Sequence, residues 1–73
     1  MIKPVYTFYQ AIELVLAKGK RMRRMGWDGN YKAIFYTNNV VLRTTYIMME
    51  TDTAYETYLP SADDIIANDW IEV

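Results

Sequence analysis

The chain has 73 residues, of which 52% are hydrophobic and 15% aromatic, and its formal net charge is −1. This length predicts a single domain over residues 1–73, because typical domains contain about 100–150 residues. The sequence has no Cys and no His, which excludes disulfides, Cys/His zinc sites, a cysteine nucleophile and every Ser/His/Asp triad. No secretory leader is recognisable, and no apolar run approaches the roughly 20 residues of a membrane span. We therefore expect no membrane partner.

Charge is divided steeply along the chain. Residues 1–49 contain all eight Lys and Arg residues and two acids, which gives +6, whereas residues 50–73 contain seven acids and no base, which gives −7. Opposite charges on two parts of a short chain attract each other. We therefore predict that the two parts meet, either within one protomer or across a contact between copies.

The best-defined element is a helix over residues 7–18. Thr7 and Gln10 have the spacing of a capping box, and the apolar residues that follow recur at helical intervals. Gly19 stands where a left-handed cap belongs, with Lys18 in the last turn. The pattern predicts an amphipathic helix that covers the core with one face.

Strands are predicted in the middle of the chain. A basic strand at 20–24 leads into a turn-rich loop, and the β-prone segment 31–37 follows it. Asn38-Asn39 indicates a tight hairpin turn, because Asn tolerates positive φ. Residues 40–43 and 45–50 are then expected to form one long strand or two short ones.

The last part of the chain is predicted to hold two strands and a short helix. The strands are 55–59, which Pro60 ends, and 70–73. Ser61, with two acids in the first turn, begins a helix that closes at Asn68 or Asp69. The fold class is therefore α+β: a small antiparallel sheet of four or five strands, one main N-terminal helix and a short second helix.

Catalysis and metal binding find little support. Asp63 and Asp64 are paired in sequence, but on a helix they point about 100° apart, so helix capping explains them better than acid–base chemistry. The three glycines lack the spacing of a phosphate loop. We predict that the chain is not an enzyme, binds no metal and needs no cofactor.

Ligand binding has better candidates around residue 25. Arg23 and Arg24 belong to a basic run that suits phosphate, or that serves as a solvated strand or as the partner of the acidic third. Trp27, flanked by glycines, is placed either to stack on a base or to act as a lid over the small core. Asp28 and Asn30 can contact ribose or base edges, or simply form the turn.

Aromatic and sulfur-containing residues indicate self-association. Seven tyrosines exceed what a monomer of this size can bury with satisfied hydroxyls. Met48 and Met49 are consecutive on a predicted strand and so point to both faces of the sheet. We therefore predict a homo-oligomer, with Trp70 in the core or at a subunit interface.

Two blocks of sequence, which together cover nearly the whole chain, resemble a known family. They are Phe8-x-x-Ala11-Ile with Gly19, Arg24 and Gly26-Trp27-Asp28-Gly29, and then Tyr46-Ile-Met-Met49 with Leu59-Pro60-Ser61, Asp64 and Asp69-Trp70. In this order they resemble the second type of Thoeris anti-defence protein, a phage sponge family. The chain departs from that pattern in a shorter segment at 31–45, and in Tyr58 where relatives often have Trp.

The resemblance implies a non-catalytic homotetramer in the cytoplasm of the infected bacterial host. Members bind and sequester a small-molecule nucleotide signal of the glyco-cyclic ADP-ribose type, and some also bind cyclic dinucleotides. On this basis the expected ligand contacts are phosphate binding by Arg23 and Arg24, stacking by Trp27, ribose or base contacts by Asp28 and Asn30, and completion of the pocket by Ser61 and Asp64.

Two other functions stay open on the residues alone. The basic strand and aromatic side chains could form a platform for single-stranded nucleic acid, although the acidic third would repel such a polyanion. Alternatively, the acidic third could bind a basic surface of a host protein and inhibit it.

Overall fold

The computed structural model describes residues 4–39 and 44–73. Within this part, the predicted α+β fold is confirmed: five antiparallel strands form one sheet, accompanied by a main helix and a short second helix. The elements in chain order are α1 (Phe8–Lys18), β1 (Met22–Arg24), β2 (Tyr31–Asn39), β3 (Thr44–Thr51), β4 (Tyr55–Thr57), α2 (Ala62–Ile66) and β5 (Trp70–Glu72). The strand order β4-β3-β2-β1-β5 places the last strand beside the first.

Both predicted helices form, each with its predicted N-cap. In α1 the Thr7 hydroxyl accepts from the Gln10 amide at 3.2 Å, the Thr7 amide donates to the Gln10 side chain at 2.9 Å, and Gly19 is left-handed with φ 64°. Ser61 and Asp64 form a second capping box at the start of α2. In the described residues, no helix has the length and apolarity to cross a membrane.

The predicted turn at Asn38-Asn39 is wrong. Both residues continue β2, where Asn38 pairs with Thr45 and Asn39 with Thr44 of β3. Asn tolerates a left-handed backbone but does not require it, and here the cross-strand ladder keeps both residues extended. The strand predicted at 40–43 lies outside the described residues.

Other predicted boundaries move by a few residues. The basic strand at 20–24 is confined to Met22–Arg24, and the strand at 55–59 stops at Thr57. The strand at 45–50 instead lengthens to Thr44–Thr51. The second helix ends earlier than predicted, because Ala67 already has an extended backbone and caps it.

The core lies between α1 and one face of the sheet. Trp70, Met22, Ile34 and Val15 are its largest fully buried side chains, and Ala11, Met49 and Tyr58 complete the buried cluster. Trp70 is therefore a core residue, one of the two places expected for it. Met48, beside Met49 in β3, is only half-buried, because neighbouring strand residues point to opposite faces.

The two oppositely charged parts of the chain meet within the protomer, which was one of the two predicted arrangements. Among the described residues, every ion pair joins a base from 1–49 to an acid from 50–73. These pairs are Lys20–Glu72, Arg21–Glu50, Arg24–Asp64, Arg24–Asp69 and Lys32–Asp52. The charge split therefore serves, at least in part, to join the basic strand and its neighbours to the acidic third.

Candidate functional site

An open pocket of about 520 Å³ lies between the loop that follows β1 and the segment that joins β4 to α2. Its size falls within the roughly 300–1,000 Å³ range of small-molecule sites. The lining residues are Arg24, Trp27, Tyr31, Met49, Glu56, Thr57, Tyr58, Leu59, Ser61, Asp63 and Asp64. The pocket thus combines aromatic walls with carboxylates, hydroxyls and one guanidinium.

The Asp64 carboxylate joins the two sides of this pocket. Its Oδ1 accepts hydrogen bonds from Arg24 Nη1 and from Trp27 Nε1, both at 3.1 Å. Its Oδ2 accepts from the Tyr58 hydroxyl at 2.8 Å and from the Ser61 amide at 3.4 Å. One buried side chain therefore holds together the end of β1, the indole ring in the loop, the tyrosine of the opposite wall and the N-cap of α2.

The electrostatics keep this carboxylate ionised. Burial on its own raises the pKa of Asp64, but the hydrogen bonds from Tyr58, Trp27 and Arg24 together outweigh it, so the pKa is lowered from its ordinary value. Burial and the bond to Asp64 raise the pKa of Tyr58 far above its ordinary value. At neutral pH, Asp64 is thus an anion that holds a protonated tyrosine.

Asp69 fixes the start of the loop. Its Oδ1 accepts from Arg24 Nε and its Oδ2 from the Gly26 amide, each at 2.9 Å, and its backbone oxygen accepts from the Met25 amide at 2.9 Å. A Cβ added at Gly26 would lie 3.0 Å from Asp69 Oδ2. A larger residue at position 26 would therefore require the Asp69 carboxylate to move by a few tenths of an ångström.

Trp27 is placed for both of the roles that the sequence left open, a lid over the core and a ring that faces a ligand. Its ring centroid lies 5.0 Å from that of Trp70 in an edge arrangement, so it packs as a lid against the core. The same half-buried ring lines the pocket, with Tyr31 at 6.1 Å and Tyr58 at 6.4 Å between centroids. The lid and the pocket wall are thus one side chain, held by its N–H bond to Asp64.

The predicted site residues divide into two groups. Arg24, Trp27, Ser61 and Asp64 line the pocket, whereas Arg23, Asp28 and Asn30 are not among its lining residues. Arg23 donates instead to the backbone oxygen of Trp27 at 3.2 Å. Asp28 accepts from the Asn30 amide at 2.8 Å, the geometry of an Asx turn. These three residues shape the loop that carries Trp27.

Arg24 lines the pocket, but its charge is already engaged. It is ion-paired with Asp69 at 2.9 Å and with Asp64 at 3.1 Å. The hydrogen bond to Asp69 is the largest influence on Arg24 and, with Asp64, raises its pKa despite the opposing effect of burial. The guanidinium therefore offers an incoming anion less than an unpaired arginine would.

The sequence did not assign a role in the site to several residues that form it. Tyr31, Glu56 and Asp63 line the pocket, and Asp69 anchors its loop. Tyr58 was noticed only as a departure from a family pattern. Two signals pointed to Asp69: its place in the family pattern beside Trp70, and the need of the basic run for acidic partners from the last third of the chain.

Metal-ligating groups do not cluster in the part of the chain that the structure describes. No group of three or more acidic, His or Cys side chains there is arranged to hold a metal ion. The carboxylates of the pocket instead bind protein donors or face the open space.

The fold and the pocket define a small α+β domain with an open, aromatic-walled cavity closed on one side by a tryptophan lid. The family model of the Tad2-like domain, described as Thoeris anti-defense 2-like, matches residues 6–73. The chain belongs to this family, which confirms the resemblance found in its sequence and supports an anti-defence role. No curated protein sequence matches the chain.

Proposed function

We propose that the protein acts as a sponge: it binds a cyclic nucleotide immune signal and withholds it from its receptor without chemical change. The ligand class is the one that the family resemblance implies, glyco-cyclic ADP-ribose or, as in some members, cyclic dinucleotides. The observation that carries the proposal is the pocket itself, of about 520 Å³, with Trp27 and Tyr31 as aromatic walls. Aromatic side chains of this kind stack on bases of any identity, worth about 1–3 kcal/mol for each base.

Pre-organisation supports the proposal. The indole N–H of Trp27 donates a hydrogen bond to Asp64, and its ring packs on Trp70. The hydroxyl of Tyr58 donates a hydrogen bond to the other carboxylate oxygen of Asp64. Walls that are already ordered lose little conformational entropy when a ligand binds. A sponge needs such tight, stoichiometric binding, since it removes one signal molecule for each occupied site.

The proposed assembly is a homotetramer in the cytoplasm of the infected host. Exposed aromatic side chains favour self-association, among them Tyr9 and Tyr55, which are 74% and 65% accessible in the protomer. A native mass spectrum would give the number of subunits and would reveal any nucleotide that co-purifies.

The test compares two tyrosines of one strand. Tyr31 and Tyr36 both lie in β2 and are similarly exposed, at 41% and 39%, but only Tyr31 lines the pocket. In isothermal titration with glyco-cyclic ADP-ribose and with cyclic dinucleotides, we expect Tyr31→Ala to weaken binding roughly tenfold through lost stacking. Tyr36→Ala should bind as the parent chain does.

Two outcomes would contradict the proposal. If none of these nucleotides binds at micromolar concentration, the sponge function fails. If ligand released by heating is recovered as a product of different mass, the protein is a catalyst and not a sponge.

The other functions suggested by the sequence gain less support. A platform for single-stranded nucleic acid would need free cations, whereas Lys20, Arg21, Arg24 and Lys32 are all ion-paired in the protomer. The same pairing reduces the acidic surface that an inhibitor of a basic host protein would offer. A salt-dependent shift with single-stranded DNA, or a specific host protein retained on the immobilised chain, would favour one of these instead.

A further inference from the structure

The charge of the pocket is the reverse of what an anionic ligand would require. Its lining contains three carboxylates, those of Glu56, Asp63 and Asp64, against the single guanidinium of Arg24. Arg24 is already paired with Asp64 and with Asp69 outside the lining. A phosphate that entered this space would therefore meet net negative charge and no unpaired arginine.

Only two of the carboxylates are available to a ligand. Both oxygens of Asp64 are occupied by protein donors. Glu56 and Asp63 are exposed to solvent, and neither carboxylate has a hydrogen-bond or ion-pair partner within residues 4–39 and 44–73. They lie in β4 and in the first turn of α2, on short segments that flank Tyr58.

An ionised carboxylate accepts hydrogen bonds and cannot donate them. It therefore suits groups that carry hydrogen-bond donors. Asp and Glu bind ribose hydroxyls in dinucleotide sites and accept from exocyclic amino groups of bases. Thr57 and Ser61, which line the same pocket, have hydroxyls that can complete such contacts.

We infer that the pocket takes the hydroxyl- and amine-bearing end of a nucleotide and leaves its phosphates outside, and that Glu56 and Asp63 select this orientation. The inference rests on the proposed function for the ligand class, but it assigns to these two acids a role that the sequence did not suggest. It also removes Arg24 from direct phosphate binding and makes it a positioning residue for Asp64 and the Trp27 loop.

Whether one substitution weakens or tightens nucleotide binding tests this orientation. Glu56→Gln keeps the size of the side chain and removes its charge. If Glu56 accepts from ribose or amino groups, the neutral variant should bind glyco-cyclic ADP-ribose or a cyclic dinucleotide roughly threefold to tenfold more weakly, because a charge-assisted hydrogen bond is lost. If phosphates instead lie beside Glu56, removal of the repulsion should tighten binding by about fivefold.

Controls separate the local effect from net charge and from folding. Glu13→Gln makes the same chemical change on the exposed surface of α1, away from the lining residues, and should leave binding unchanged. The double variant Glu56→Gln/Asp63→Asn should weaken binding further than Glu56→Gln does. Thermal unfolding of each variant verifies that the pocket is still formed.

A phosphate-free probe distinguishes failure of the inference from failure of the proposed function. Adenosine and adenosine 5′-monophosphate are titrated at low salt, with Trp fluorescence as the readout. Adenosine binding at least as well as its monophosphate supports the inference, and it does so even if the cyclic nucleotides fail to bind and the sponge function is lost. Tighter cyclic-nucleotide binding by Glu56→Gln overturns the inference while leaving the sponge function intact, and no binding by any probe overturns both.

Discussion

Asp64 joins parts of the chain that are far apart in sequence. Its carboxylate accepts from Arg24 at the end of β1, from Trp27 in the loop, from Tyr58 and from the Ser61 amide. The sequence predicted only the last of these roles, because a capping box is a local pattern with fixed spacing. The other three contacts depend on how β1 and the loop meet α2, which local spacing does not encode.

Asp64→Asn should be strongly destabilising. An amide has only one acceptor oxygen, so its NH₂ group would face hydrogen-bond donors where one carboxylate oxygen now accepts from two of them. Arg24 would also lose one of its two carboxylate partners. We expect a loss on the order of 3 kcal/mol in the free energy of unfolding, measured by urea denaturation with Trp fluorescence.

Asp63→Asn is the control for this substitution. Asp63 is the exposed neighbour in the same first turn of α2, and its neutralisation should cost only about 0.3–1 kcal/mol through the helix dipole. Equal losses in the two variants would show that the network around Asp64 contributes nothing beyond helix capping.

Secondary-structure elements were predictable where local chemistry decides them. In α1 the capping box, the apolar stripe and Gly19 all favour the same eleven residues, and the helix forms there. The extent of β2 was predicted less well, because it depends on pairing with β3 and not on local sequence. Asn38 and Asn39 therefore had turn chemistry but adopted the strand that their partners impose.

Gly19 should be the least replaceable residue at the end of α1. Its φ of 64° is left-handed, although nothing lies within 4 Å of an added Cβ, so the cost of substitution is backbone strain and not a clash. We expect Gly19→Ala to lose about 1 kcal/mol of stability, and Gly19→Asn to lose less, since Asn tolerates this conformation.

Gly29→Ala provides the matched control for Gly19. An added Cβ there also meets open space, but the backbone is not left-handed. Thermal unfolding should therefore show little change for Gly29→Ala. If both alanine variants unfold at the same temperature, the left-handed cap does not contribute to the stability of α1.

The whole molecule is held together by attraction between its basic and acidic parts as well as by its small core. That the two parts would meet could be predicted from composition alone, since the split between +6 and −7 is visible in the sequence. Which charges pair could not, because strand order decides it: β5 lies beside β1, and this brings Asp69 to Arg24. The candidate site was also predictable only in part. The Trp27 loop and the Ser61 cap were expected from the sequence, whereas the pocket walls formed by Tyr31, Glu56 and Tyr58 were not.

Low pH should destabilise the fold through Asp64 and Asp69, the two acids that are ion-paired with Arg24. Burial raises the pKa values of Asp64 and Asp69, but hydrogen bonds outweigh it and lower both below their ordinary value. These bonds come from Tyr58, Trp27 and Arg24 at Asp64, and from Arg24 and the Gly26 amide at Asp69. In the unfolded chain both carboxyls return to a pKa of about 3.9. Their contribution to stability is therefore complete above that pH, and is lost as the pH falls through the lower folded-state values.

Urea unfolding between pH 7 and pH 2 measures this loss. The free energy of unfolding should fall with decreasing pH below about 4, and the fall should be shallower in Asp69→Asn, which has one such carboxyl fewer. Asp52→Asn, which removes a surface acid paired with Lys32, is the control. A pH profile that Asp69→Asn leaves unchanged would contradict the assignment.

Trp70 makes the pocket depend on a strand of only three residues. It is fully buried, its ring contacts Phe8, Trp27 and Tyr58, and its backbone pairs with Tyr6. The helix α1, the Trp27 loop and the Tyr58 wall therefore share one packing partner, which β5 carries. The shape of the pocket thus depends on the docking of β5 against β1, because two of the pocket's aromatic walls rest on the ring that this short strand holds in place.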